Sequence, residues 1–219
     1  MAKKELQLKT KRLCISPMTD EELRQLAEET TDQELRQAYE EMLEGSLNNR
    51  EFRLWYTAWK ICLKGNGQII GTEGFKGPED TYSVEIGYGI DKDYEGNGYA
   101  TEAVKALIEW AFTQENVYYI EAEAAADNVG SRKVLEKLSF QPDGMGKEGE
   151  RYILEKTEAM WMPIYMCFGL SIGLSLGNAS GNMSIGMCLG MAIGLCIGSA
   201  LDASNKKRRA KIKEERMKK

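Results

Sequence analysis

The sequence has no histidine. Without imidazole, neither a Ser-His-Asp nor a Cys-His nucleophilic arrangement can be assembled, and zinc loses its commonest nitrogen ligand. Cysteine gives no substitute. Cys14, Cys62, Cys167, Cys188 and Cys196 contain no C-x-x-C pair, so they read as small apolar residues in a reducing compartment rather than a disulfide frame. No metal site is expected. The lysine-rich start lacks an apolar run, which argues against a secretory signal and for a cytosolic globular part. Charge is missing from one long stretch: residues 160–201 hold no Asp, Glu, Lys or Arg. Before it lie 20 basic and 31 acidic residues, a net charge of −11; after it lie 9 and 3, a net charge of +6. The formal total of −5 conceals three zones: an acidic globular part, an apolar part and a basic tail.

The most informative stretch of the globular zone is residues 84–103. Val84, Ile86, Tyr88 and Ile90 alternate with Glu85, Gly87 and Gly89, the period of a strand. Ala100, Ala103, Val104, Leu107 and Ala111 then fall at helical spacing. Between them Gly96-Asn97-Gly98 lets a ligand approach the unpaired amides and partial positive charge of a helix start, which suits an anion. The nucleotide P-loop pattern is absent, and the dinucleotide fingerprint fails because Thr101 stands where its third glycine belongs.

Glu95-Gly-Asn-Gly-Tyr-Ala100 resembles the acyl-CoA signature (Arg/Gln)-x-x-Gly-x-(Gly/Ala) of the GNAT N-acetyltransferases, with Glu95 replacing the usual Arg or Gln. Asn128-Val-Gly-Ser131-Arg-Lys-Val-Leu-Glu-Lys-Leu-Ser139-Phe140 resembles the Asn-x-x-Ser…Leu-Gly-Phe helix of that family's ribosomal-protein branch, with Ser139 in place of glycine. The likeness runs from about residue 8 to about 155. It implies that Gly96, Asn97, Gly98, Tyr99, Ala100 and Thr101 hold the pyrophosphate of acetyl-CoA as co-substrate, with Glu95, Ile90 and Asn128 also beside the coenzyme. It implies an α+β fold: a mixed, mostly antiparallel sheet flanked by helices.

Along the chain, residues 6–15 read as a first strand. Thr19/Glu22 and Thr31/Glu34 have capping-box spacing and open helices over about 20–29 and 32–47. Their many carboxylates form a solvated face, or a field that draws in a cationic amine. Residues 59–63 and 68–75 read as a hairpin around Asn66-Gly67, broken by Gly77-Pro78, with Trp55, Tyr56 and Trp59 in the core. A strand near 120–124, a helix capped by Asp127 or Asn128, and a hairpin of 140–144 with 151–156 follow. The expected order is β-αα-βββ-α-β-α-ββ.

For the chemistry, Glu85 is the expected general base, since Gly87 and Gly89 on its face leave room for an amine. The resemblance also implies that backbone amides around residues 86–88 meet the oxyanion. The resemblance points to Ser131 as the acid that protonates the leaving thiol, with Tyr88 and Tyr152 as rivals. In the apolar zone, Gly169, Gly173, Gly177 and Gly181 recur every fourth residue, as do Gly186, Gly190, Gly194 and Gly198. Such spacing allows close helix contact in a bilayer. Two runs, 160–177 and 183–201, joined by a turn at 178–182, read as a glycine-zipper hairpin whose return places Lys206-Lys-Arg-Arg209 on the cytoplasmic side, the alternatives being a soluble glycine-rich helical hairpin or a disordered low-complexity tail.

The expected division is therefore 1–158 acetyltransferase domain, 159–202 membrane hairpin and 203–219 basic tail. The expected activity is acetyl transfer from acetyl-CoA to a primary amine (a protein N-terminus or a small amine) by direct attack in a ternary complex. The expected location is the inner face of a bacterial cell membrane, entered through residues 160–201, with homo-oligomers through the zipper and no nucleic-acid partner. The competing readings are an inactive acyl-CoA sensor and a membrane-assembly module.

Overall fold

The computed structural model describes residues 6–78 and 82–218. The chain forms two compact units, residues 1–156 and 157–219.

In the first unit, β1 (Leu8–Lys9) and β2 (Leu13–Pro17) lead into helices α1 (Asp20–Glu29) and α2 (Gln33–Asn48). A 3-10 turn at Arg50–Trp55 precedes β3 (Trp59–Leu63), β4 (Ile69–Pro78) and β5 (Ser83–Ile90). Helix α3 (Tyr99–Thr113), β6 (Tyr119–Ala124), α4 (Val129–Lys137), β7 (Gln141–Met145) and β8 (Glu150–Glu155) complete it. The eight strands form one sheet in the order β1-β2-β3-β4-β5-β6-β8-β7. Every pairing is antiparallel except β5 with β6.

One face of this sheet carries α3. Trp110 of α3 meets Trp55, Trp59 and Phe75 at ring-centroid separations of 4.9, 4.9 and 6.1 Å. Ala103, Val104, Leu107, Ile108 and Ala111 are buried beside them, each large side chain contributing about 1.5–3 kcal/mol of transfer free energy. The opposite face carries α1 and α2: Leu23, Ala27 and Tyr39 pack with Met18 and Ala58, and the Tyr39 hydroxyl meets that of Thr72 on β4 at 3.1 Å.

Local chemistry sets the boundaries. Thr19 and Glu22 form the capping box of α1. Asp32, not Thr31, caps α2, accepting from the amides of Glu34 and Leu35, because a carboxylate one residue later reaches the same donors with full charge. The expected first strand over 6–15 is divided: the Thr10 amide donates to the Leu13 carbonyl at 3.1 Å, folding Leu8 back onto Ile15. Strand β4 does not stop at Phe75 but runs on through Gly77 and ends at Pro78. Gly77 takes φ +93° and a register shift between Phe75 and Pro78 absorbs the break.

The second unit is a hairpin of α5 (Trp161–Ala179) and α6 (Met183–Met217). The two glycine series face each other. A Cβ at Gly173 would lie 2.3 Å from the Gly186 carbonyl oxygen, and one at Gly190 would lie 2.1 Å from that of Gly169. The large side chains point outward instead, with Phe168, Ile172, Leu176, Leu189 and Ile193 exposed. Asp202 closes the base of the hairpin by accepting from the amides of Trp161 and Met162 at 2.7 and 3.0 Å, a cap on the start of α5. Helix α6 does not stop at Leu201. It continues through the basic tail, where Lys211–Glu215 and Lys218–Glu214 pairs at helical spacing support it.

Candidate active site

The parallel strands β5 and β6 pair only over Ser83–Glu85 and Tyr119–Glu121. Beyond that point β5 stays with β4 out to Ile90, and β6 stays with β8 out to Ala124, so a wedge opens between them. The Asp91 amide donates to the Ile70 carbonyl of β4 at 2.9 Å. By strand alternation the backbone groups of Ile86, Tyr88 and Ile90 therefore face the wedge. A cleft of about 480 Å³ occupies its open end, lined by Tyr88 and Ile90 of β5, by Glu95, Gly96, Gly98, Tyr99 and Ala100, and by Asn128 and Ser131.

Gly96 and Gly98 adopt φ +75° and +78°, the left-handed region that a side chain disfavours. Gly98 is the N-cap of α3 and no side chain caps that helix start, so its first-turn amides and the positive end of its dipole are presented to the cleft. A Cβ at Gly96 would meet nothing within 4 Å. Asn97 braces the turn, its amide donating to the carbonyls of Tyr94 and Glu95 at 3.2 and 3.0 Å. Asn97 and Thr101 belong to the loop and first turn but do not line the cleft. The residues present fit a phosphate-bearing ligand: open space, free donors and a built loop meet at one helix start.

Arg12 joins this corner and escaped the reading of the sequence. Its guanidinium donates to the Asn97 carbonyl at 3.0 Å and to Glu102 at 2.7 Å, and lies 4.3 Å from the centre of the Tyr99 ring. Burial works against the Glu102 carboxylate, but hydrogen bonds from Thr10 and Arg12 and the Arg12 charge outweigh it and lower its pKa. The knot fastens the β1–β2 turn to the start of α3 and sets a cation near the loop in which Glu95 stands. Some 90 residues separate the partners, so no local pattern could have signalled it.

Tyr88 and Ser131 meet across the cleft with hydroxyl oxygens 2.9 Å apart. Asn128 caps α4 by accepting from the Ser131 amide at 2.9 Å, which fixes the serine at the helix start. Burial raises the Tyr88 pKa above its usual value against the lowering effect of Ser131, so the phenol keeps its proton at neutral pH. Tyr152 does not line the cleft; its hydroxyl donates to Glu150 at 2.7 Å.

Glu85 does not line the cleft. It stands at the mouth of the wedge, on the other face of β5 from Tyr88, where the Cβ positions of Gly87 and Gly89 look into open space. The Lys76 ammonium bridges Glu85 at 2.5 Å and Glu148 at 3.0 Å. Burial raises the Glu85 pKa; Lys76 pulls it down, and Glu123 and Glu148 push it up, leaving it raised overall.

One carboxyl was not singled out by its sequence context. Glu73 on β4 is 2 % exposed, and neither of its oxygens has a hydrogen-bond partner among the described residues. It sits in register between Trp59 and Tyr88. Burial pushes its pKa up to about 8, which keeps it protonated at pH 7. Among the described residues no group of three or more Cys, Asp or Glu is arranged to hold a metal ion.

A family model described as an acetyltransferase (GNAT) domain matches residues 12–141. The uncharacterized N-acetyltransferase YjdG of Bacillus subtilis (strain 168) is 42% identical over 86 residues, 39% of this chain and 51% of that protein. The uncharacterized N-acetyltransferase p20 of Bacillus licheniformis is 35% identical over 109 residues, 49% of this chain and 58% of its own. The chain thus spans about half the length of the curated relatives it matches. Among solved structures, a ribosomal-protein-S5-alanine acetyltransferase from Vibrio fischeri superposes with a TM-score of 0.56 at 18% identity, covering 72% of this chain and 99% of that one. RimL, a ribosomal L7/L12 alpha-N-protein acetyltransferase solved with coenzyme A, gives 0.55 at 14% identity, covering 68% and 98%. At these identities the two structures speak for the fold alone.

Proposed function

The chain belongs to the GNAT acetyltransferase family, and from that premise we propose that its first unit transfers an acetyl group from acetyl-CoA to a primary amine by direct attack in a ternary complex. The observation that carries the reading is the parting of β5 from β6 above an uncapped α3 start. Acetyl-CoA supplies an activated thioester. The amides at 98–101, with Asn97 bracing the loop and Arg12 nearby, hold its diphosphate; Ile90, Glu95 and Asn128 border it. Amides of Ile86 and Tyr88, already facing the wedge, receive the negative charge that develops on the carbonyl oxygen. Glu85 takes a proton from the acceptor ammonium, its raised pKa making it a better base than a free carboxylate. The Tyr88–Ser131 pair gives a proton to the departing thiolate, with Ser131 next to the leaving group. The acceptor is a protein N-terminus, as in the names of the two ribosomal-protein acetyltransferases, or a small amine, and the amine panel below includes both.

The second unit then anchors the enzyme to the cytoplasmic side of a membrane. Two helices, of 19 and 35 residues, are long and apolar enough to cross one; their small residues face inward and their large ones outward. The basic half of α6 suits anionic headgroups. The test is thiol release on mixing full-length protein with acetyl-CoA and an amine panel, with mass spectrometry of the products. Coenzyme binding with no acetylated amine from any acceptor class overturns catalysis in favour of a sensor. Recovery of the intact chain wholly in the soluble fraction of a detergent-free lysate overturns the anchor.

A further inference from the structure

We propose that Lys76 is a self-acetylation site, modified in cis by the same machinery that serves external amines; this rests on the assignment of Glu85 as the base. Any amine that Glu85 deprotonates must come within hydrogen-bond reach of its carboxylate, and one primary amine of the chain is already there. The Lys76 ammonium lies 2.5 Å from Glu85 at the point where β5 and β6 separate. It is held from the other side by Glu148 at 3.0 Å, and Glu148 is itself positioned, because its amide donates to Glu123 of β6 at 2.7 Å. About half of the Lys76 side chain remains exposed. The open space over Gly87 and Gly89 begins beside it, on the face where an acceptor is expected. Lys76 is therefore placed as an acceptor would be, on a strand rather than on a second molecule.

The reaction balances as it does for an external amine. The Lys76 ammonium gives one proton to Glu85 and its lone pair attacks the thioester carbonyl carbon. The N–C bond forms as the C–S bond breaks. The thiolate leaves with the sulfur electron pair and takes a proton from the Tyr88–Ser131 pair, which is replenished by the second amine proton. The products are Nε-acetyl-Lys76, coenzyme A and one proton released through Glu85. Acetylation replaces the cation beside Glu85 with a neutral amide, so the base loses its ion-pair partner.

Two other lysines provide internal standards. Lys105 is more exposed than Lys76 and pairs at 3.9 Å with Glu109 of its own helix rather than with Glu85. Lys60 is ion-paired with Glu22, so it shares a carboxylate neighbour but not the wedge. The experiment incubates purified full-length chain with millimolar acetyl-CoA and no acceptor, and follows each lysine by peptide mass spectrometry. Lys76 is expected to gain its acetyl group roughly 10²-fold faster than Lys105 or Lys60, the range that a positioned base supplies. The rate constant should not change with protein dilution, and in Glu85→Gln it should fall to that of Lys105. Lys76 modified no faster than Lys105, or equally fast in Glu85→Gln, overturns the proposal. Thiol release with the amine panel, run on the same preparation, separates the two levels. Acetylated external amines beside an unmodified Lys76 sink only this inference; neither kind of product sinks the transfer reading with it.

Discussion

Replacing Glu73 by Gln should make the protein more stable at neutral pH and remove part of its pH dependence. The folded-state pKa of Glu73 is about 8 against an ordinary value of 4.5. Below pH 4.5 the carboxyl is protonated whether the chain is folded or not, and its ionisation favours neither state. Between 4.5 and 8 the unfolded chain releases this proton while the folded one retains it, so stability declines steadily as pH rises, and the decline ends once pH passes 8. At about 1.4 kcal/mol per pH unit, the group costs about 3 kcal/mol at pH 7 and about 5 kcal/mol above pH 8. For a chain of this size 3 kcal/mol is worth about 6–12 °C in Tm. The Gln variant still buries an unpartnered polar group, so Glu73→Met should be more stable than Glu73→Gln at every pH. Asp20 and Glu102, whose pKa values are lowered, drive stability the opposite way. The informative quantity is thus the difference between variant and parent, measured by urea unfolding of the full chain in mild detergent at pH 5, 7 and 8.5. Parallel curves for parent and Glu73→Gln, or a variant less stable than the parent at pH 7, would refute the reasoning.

Other substitutions test the remaining parts. Glu85→Gln should lower kcat by roughly 10²-fold with acetyl-CoA affinity unchanged, read by steady-state thiol release and calorimetry; an unaltered kcat removes Glu85 as base. Ser131→Ala should slow turnover by a similar factor, and Tyr88→Phe should do so less if the serine is the immediate donor; equal, full rates in both discard the pair as the acid. Arg12→Ala should weaken coenzyme A binding measured by calorimetry, since it frees Glu102 and loosens the Asn97 turn, and unchanged affinity would confine Arg12 to a structural role. Gly190→Leu should force the hairpin helices apart, because even a Cβ there falls 2.1 Å from the Gly169 carbonyl oxygen; faster hydrogen exchange in α5 is the expected sign.

Much of the architecture was legible because it rests on local signals. Alternation at residues 84–90, the Gly96–Gly98 turn and the spacing at 100–111 announce a strand, a loop and a helix, which is the form β5 and α3 take. Capping chemistry likewise placed the start of α1 at Thr19 and narrowed that of α4 to Asp127 or Asn128, of which Asn128 is the cap. What could not be read depends on distant partners. The hairpin that divides residues 6–15 arises from a turn whose Thr10 hydroxyl is held by Glu102. The wedge itself is invisible in sequence, since nothing in residues 86–90 states where pairing with β6 ends. Lys76 looks like an ordinary strand lysine until the fold sets it beside Glu85. Glu73 alternates with Thr72 and Gly74 in a strand whose inward face the sequence alone did not assign.

The unbroken course of α6 carries a mechanical consequence. At about 1.5 Å per residue its 35 residues make a rod of about 52 Å, of which the charge-free portion accounts for little more than half. With no hinge between the two portions, and with the apolar part in a membrane as proposed above, a change in its tilt imposed by a thinner or thicker bilayer would swing the lysine- and arginine-rich end through the same angle. The tail is a pointer whose heading the thickness of its surroundings would set.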